Sequence, residues 1–235
     1  MYKLNKIFTA LITTLLLISF CLGQTPTDTR KWYKGNTHTH TTNSDGDSAP
    51  DAVVKWYSDS RYNFVFITDH EFITPVAPLN DLYAKPSEFL VIQGQEITDS
   101  LNNKPHHINA LGIGSVIRPQ KGTTVTENYQ KNVDMVRAAG GIPQINHPNF
   151  GWAATARDLE KVQNVTLMEI HNGHPLVNNL GGGGSPGAEE IWDMLLSSSK
   201  VIYGIADDDS HHFKRPGVRT SPLPGQAWVF VRASE

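Results

Sequence analysis

Histidines and carboxylates recur along this 235-residue chain, singly and in short pairs, in a pattern that suits metal binding. They are His38-Thr39-His40, Asp69-His70, Glu96, His106-His107, His147, His171 and Asp209-Ser210-His211. Imidazole nitrogens and carboxylate oxygens are ligands for zinc, manganese and iron. Side chains two apart on a strand point to one face, so His38 and His40 can reach one ion, as can Asp209 and His211. Each pair alone also has a plain reading. Asp69-His70 could be a helix cap beside a surface imidazole, and Asp207-Asp208-Asp209 a solvated acidic turn. Ionisable groups are costly to bury unless paired or metal-bound, so their repeated placement at strand ends favours one shared site.

Cys21 is the only cysteine, and it lies in the amino-terminal apolar run. Disulfides, thiol nucleophiles and cysteine-held structural zinc are therefore excluded from the rest of the chain. A metal there must be held by His, Asp and Glu, a set that suits hydrolysis better than a closed structural site. The net charge of −3 gives no electrostatic case for a nucleic-acid polymer.

The elements that must position these residues follow from the pattern. Lys3 and Lys6 precede an apolar run from Ile7 to Leu22, with a small residue at Gly23. Residues 1–23 read as a signal peptide, because the run falls short of the roughly 20 residues of a membrane span. A lipid anchor at Cys21 fits less well, since bulky Phe20 precedes it. The expectation is an exported protein, periplasmic or secreted, with a single domain over 24–235 and no stable span after cleavage. Strands are expected at Trp32–His40, Asn63–Thr68, Phe89–Ile97, His107–Ile113, Ile142–Asn146, Thr166–Ile170, Val201–Ala206 and Ala227–Val231. Helices are expected at Ala49–Asp59, Glu127–Ala139, Ala156–Val162 and Ala188–Ser198. Gly181–Gly187 reads as a surface loop, with no Lys-Ser/Thr after it to make a phosphate cradle. Alternating strands and helices imply parallel βαβ units, whose carboxyl-terminal strand ends gather on one side.

With the motifs in that order, the sequence resembles the polymerase and histidinol phosphatase (PHP) domains. The resemblance rests on Asn36-Thr-His-Thr-His-Thr, Ser44-Asp45-Gly46, Ile67-Thr68-Asp69-His70, Gly94-Gln95-Glu96-Ile97, His107-Ile-Asn-Ala-Leu-Gly, Asn146-His147-Pro148 and Ala206-Asp-Asp-Asp209-Ser-His211. It implies an α/β fold, a distorted (β/α)7 barrel, holding two or three divalent ions of zinc, manganese or iron. It also implies a ligand division. His38, His40, Glu96 and Asp209 would hold a first ion, and Glu96, His107 and His147 a second, with Glu96 bridging. Asp45, His70 and His211 would hold a third. His107 is chosen over His106 because its spacing to Leu111-Gly112 fits the family pattern. The activity implied is hydrolysis of a phosphomonoester or small phosphodiester by a metal-bridging hydroxide, with Glu96 and Asp209 in the catalytic centre.

His171 and His174, in His-Asn-Gly-His, are candidates to protonate the leaving group. Lys214, Arg215 and Arg219 are candidates to clamp a small phosphorylated substrate. Phe72, Phe150 and Trp152 follow ligand-bearing strand ends and could stack on it. The same water activation would serve amide or lactone hydrolysis. A non-catalytic metal-binding module is a third reading, disfavoured because every ligand position is filled. The chain stops soon after a strand, as a fragment would. No pattern indicates an oligomeric state.

Overall fold

A computed structural model of the chain describes residues 28–214 and 221–234. The expected signal peptide, with Cys21, lies outside the described residues, as do Arg215 and Arg219. Residues Trp32–Val231 form one compact unit that carries the site. In a small second unit drawn from the chain ends, Asp28 meets Arg30 and Arg232, each at 2.8 Å. Among the described residues no helix is long and apolar enough to cross a membrane.

The strands are β1 (Lys31–Asn36), β2 (Phe64–Ile67), β3 (Leu90–Leu101), β4 (Lys104–Leu111), β5 (Ile142–Ile145), β6 (Leu167–Asn172), β7 (Tyr203–Asp207) and β8 (Val229–Ala233). The helices are α1 (Pro50–Asp59), α2 (Ala77–Tyr83), α3 (Val125–Ala138), α4 (Ala156–Glu160) and α5 (Ala188–Ser197). The sheet order is β7-β6-β5-β4-β3-β2-β1-β8. Just beyond the ladders, Thr39 bridges Ser210 in parallel, and His40 N–H donates to Ser210 O at 2.9 Å. This contact joins the ends of β1 and β7, so the sheet closes into a distorted (β/α)7 barrel with β8 as an added strand outside the seam.

One strand departs from the parallel pattern expected from the sequence. β4 runs antiparallel to both β3 and β5. The cause is local: β3 and β4 form a hairpin closed by Asn102 and Asn103, whose φ angles are 53° and 61°. Two consecutive left-handed residues make the turn that matches strand twist, and asparagine tolerates that conformation. The amino-terminal half of β4 therefore lies on the same side as the carboxyl ends of the other barrel strands. Helix α2 and the extension of β3 to Leu101 are also additions to the sequence reading.

The apolar core lies between sheet and helices. One cluster joins Ile97, Ile108, Ile145 and Met168 to Val133 and Val136 of α3 and Ile191 and Leu195 of α5. A second joins Val65, Ile67 and Val91 to Val53, Val54 and Tyr57 of α1. Inside the barrel the side chains are polar and mutually bonded. Asn146 Nδ2 donates to Asn109 Oδ1 at 2.9 Å, Gln144 Nε2 to Asp207 Oδ2 at 2.9 Å, and Thr37 Oγ1 to Asp207 Oδ2 at 3.0 Å. A barrel filled this way has its histidine-bearing ends fixed from beneath by hydrogen bonds.

Candidate metal centre

The histidines gather at the mouth. His38 and His40 lie in the extended segment after β1, with Nε2 atoms 3.1 and 3.2 Å from Glu96 Oε2 and each 3.2 Å from Asp209 Oδ1. All four residues are buried. Neither Nε2 atom has a hydrogen-bond partner. Buried ring nitrogens are rarely left so. Metal bonds of about 2.0–2.1 Å imply ligand-to-ligand edges of roughly 3.3 Å in a tetrahedron. The observed spacings match, so these residues fit a divalent ion.

The other oxygen of Glu96 faces a second pair. Glu96 Oε1 is 3.0 Å from His107 Nδ1 and 3.3 Å from His147 Nε2. A third group sits nearer solvent, where Asp45 Oδ1 is 3.3 Å from His211 Nε2 and Asp45 Oδ2 is 3.7 Å from His70 Nε2. The His40 ring borders this group through Nδ1, 3.7 Å from Asp45. Each of the three groups could hold a metal ion. A fourth group, His38, Glu169 and Asp207, is fully buried beneath the first. Its His38 Nδ1 to Glu169 distance of 2.7 Å is that of a charge-assisted hydrogen bond, too short for a metal edge.

The charges are mutually tuned. Burial opposes ionisation of Glu96, but His38, His70 and His107 outweigh it and hold its carboxyl well below the usual range. Burial likewise opposes protonation of His40, but Asp209 and Glu96 outweigh it and raise the ring to about 9. His38 is also raised well above its ordinary value, against burial, by Asp209, Glu96 and Glu169. Burial prevails at His70, which falls to about 4. A cation-seeking cluster behaves this way: without metal, protons serve as its counter-ions.

No family model and no curated protein matches the chain. Solved structures do. One is a two-domain protein containing a predicted PHP-like metal-dependent phosphoesterase from Bacteroides vulgatus, with TM-score 0.56, 19% identity and 79% of this chain covered. This chain spans 54% of that protein's length. A Bifidobacterium adolescentis protein assigned as a metal-dependent phosphoesterase matches at TM-score 0.55 and 13% identity, covering 81% of this chain and 92% of its own. The fold is PHP-like. An amidohydrolase from Chromobacterium violaceum, with bound sulfate and no metal, shares it at TM-score 0.55 and 15% identity, covering 82% and 92% of the two chains.

Within this PHP-like barrel the expected site residues separate into two sets. His38, His40, Asp45, His70, Glu96, His107, His147, Asp209 and His211 come together in the groups above. His107 joins because of the reversed β4, while His106 points away and its ring packs at a tilt against Tyr129, centroids 4.9 Å apart. His174 lines the same cavity of about 390 Å³, together with Phe150 and Val177. His171 does not: a bulge between Glu169 and His171 breaks the strand alternation, and His171 is exposed. Lys214 is not on the cavity wall either. Its backbone N–H donates to Asp47 Oδ2 at 3.2 Å, and its ammonium donates to Asp47 O. Phe72 and Trp152 are 42% and 37% exposed, outside the cavity lining.

Three buried carboxylates that are not metal ligands organise the residues that are; the sequence singles out Asp69 and Asp208 only as parts of His- or Asp-containing runs, and Glu169 not at all. Asp69 accepts from Thr41 N (2.7 Å), Thr41 Oγ1 (2.8 Å), Ser44 Oγ (2.8 Å) and Thr74 Oγ1 (2.5 Å), shaping the loop that carries Asp45. Asp208 accepts from Tyr57 and from the backbone of Gly225, Gln226 and Ala227. Glu169 is the third. Its signal in the sequence was a lone charge inside the apolar run Leu167-Met168-Glu169-Ile170.

Proposed function

We infer that the chain is an exported metal-dependent phosphoesterase acting on a small phosphomonoester or phosphodiester. One observation carries this reading: Glu96 turns one oxygen to His38 and His40 and the other to His107 and His147. That is the posture of a bridging carboxylate. Two or three ions of zinc, manganese or iron held by these residues would bring the pKa of water toward neutrality and offset charge on a phosphoryl group.

The chain's own residues supply the rest. Asn146 Nδ2 donates to Glu96 Oε1 at 2.9 Å and fixes the carboxylate before substrate arrives. Asp209 faces His38 and His40 from the end of β7, the neighbouring strand across the seam. Asp45, His70 and His211 are the ligands of the outer group. His174 Nδ1 accepts from Leu176 N at 3.2 Å, and burial lowers its pKa. The ring is therefore neutral near pH 7, with its proton on Nε2, and can donate a hydrogen bond to a leaving oxygen. The cavity volume suits a small molecule, with Phe150 and Val177 as its apolar wall. Arg215 and Arg219 are the clamp candidates, and the basic and apolar leader supports export.

Amide hydrolysis is the second reading, favoured by the likeness to the Chromobacterium violaceum protein. A panel of phosphomonoesters, phosphodiesters and amides, assayed with added zinc, manganese or iron, separates the two. Phosphate-ester turnover without amide turnover is the expected result. The reverse would overturn the phosphoesterase reading.

A further inference from the structure

Glu169 is 1% exposed and accepts four hydrogen bonds. His38 Nδ1 lies 2.7 Å from Oε1, and Gln144 Nε2 donates to the same oxygen at 3.3 Å. His147 N–H donates to Oε2 at 2.6 Å, and Asn172 Nδ2 donates there at 2.8 Å. Both oxygens are thus occupied by donors of the chain, so this carboxylate is not free to bind an ion. It acts through the residues that are.

Those residues belong to different groups. His38 faces Glu96 Oε2 and Asp209, whereas His147 faces Glu96 Oε1. At His38, an acceptor on Nδ1 keeps the proton there and leaves Nε2 bare toward the metal groups. At His147 the hold is on the backbone. His147 has a φ of 21°, in the left-handed region that a side-chain-bearing residue adopts only under restraint. Asn172 extends the link, since its Nδ2 also lies 3.2 Å from Asp209 Oδ2.

We propose that Glu169 is a positioning residue shared by the first and second metal groups, setting the His38 tautomer and the His147 backbone together. This rests on the metal-binding reading of the site and goes beyond it, because one residue that touches no ion governs loading of both groups. A glutamine at the same place keeps one accepting oxygen, so it can hold His38 Nδ1–H or His147 N–H but not both.

The test is zinc titration of the full chain against a chromogenic chelator, comparing wild type with Glu169→Gln. Loss of an orienting partner costs about 10–100-fold in metal affinity. The expected result is a loss of that size at two zinc equivalents. Wild-type and Glu169→Gln isotherms that superimpose would overturn the proposal, and leave the metal reading standing. A wild-type chain that binds no zinc would overturn both. A second measurement needs no variant: long-range 15N NMR of the zinc-loaded wild type should show His38 protonated at Nδ1 and ligated through Nε2. Ligation through Nδ1 would overturn the proposal.

Discussion

Removing the hydroxyl of Tyr57 should loosen the barrel where it closes. Tyr57 is fully buried on α1, and its hydroxyl donates to Asp208 Oδ2 at 2.7 Å. The Tyr57 hydroxyl oxygen also lies 2.9 Å from Ser210 Oγ and 3.2 Å from both Asn36 Nδ2 and Thr39 Oγ1. It therefore ties helix α1 to both sides of the β1–β7 seam. A hydrogen bond to a charged group contributes about 1.5–3 kcal/mol. Asp208 would keep its three backbone donors, which points to the lower part of that range, about 2 kcal/mol. For a domain of this size, 1 kcal/mol shifts Tm by roughly 2–4 °C. Tyr57→Phe should therefore lower Tm by about 4–8 °C in calorimetry and speed hydrogen exchange at His40 N–H, which bridges to Ser210. A change below about 1 °C, with unchanged exchange, would refute the view that this hydroxyl braces the seam.

Other outcomes follow from the same geometry. Glu96→Ala should abolish hydrolysis of a chromogenic phosphate ester and reduce metal content; unchanged turnover would remove Glu96 from the bridging role. In the metal-free protein His40 is raised to about 9, so its contribution to stability is full below pH 6.5 and lost as pH rises through 9. The Tm of the metal-free chain should fall over that window. The same proton must leave before a metal binds, at a cost near pH 7 on the order of 3 kcal/mol. Calorimetric titration with zinc in buffers of different ionisation enthalpy should therefore report proton release at pH 7, and zinc affinity should rise with pH. Glu127 is held at about 2 by hydrogen bonds from Thr123 and by Lys131. Its stabilising effect is present above pH 4.5 and lost as pH falls toward 2, so Glu127→Gln should flatten the acid limb of the thermal-stability profile.

Much of the site was legible because its residues are chemically conspicuous. Histidines and carboxylates gathered at the ends of apolar runs have few other uses, and nine such residues come together in the three candidate groups. The direction of β4 is legible too, in principle: Asn102-Asn103 between two strands is a hairpin signal, but the alternation of strands and helices around it points to a parallel series. His107 still reaches the site, since reversing the strand brings its first half to the mouth. His171 and Glu169 illustrate the harder problem. They lie two apart in one strand, and a bulge that no residue type announces sends the histidine to solvent and keeps the glutamate inside. Partner counts cannot be read from sequence either. Asp69, Glu169 and Asp208 differ from Glu96 and Asp209 not in type but in having donors of the chain on both oxygens, whereas Glu96 and Asp209 each carry an amide donor on one oxygen only. Helix α2 is seven residues long, too short for a helical period to stand out.

The most direct test of the account is metal content together with turnover. The purified chain, reconstituted with zinc or manganese and freed of excess, should carry two or three ions by elemental analysis. It should hydrolyse a phosphate ester, lose that activity on chelation and regain it when metal is restored. A chain that folds, retains less than one ion and hydrolyses nothing under these conditions would contradict the central claim.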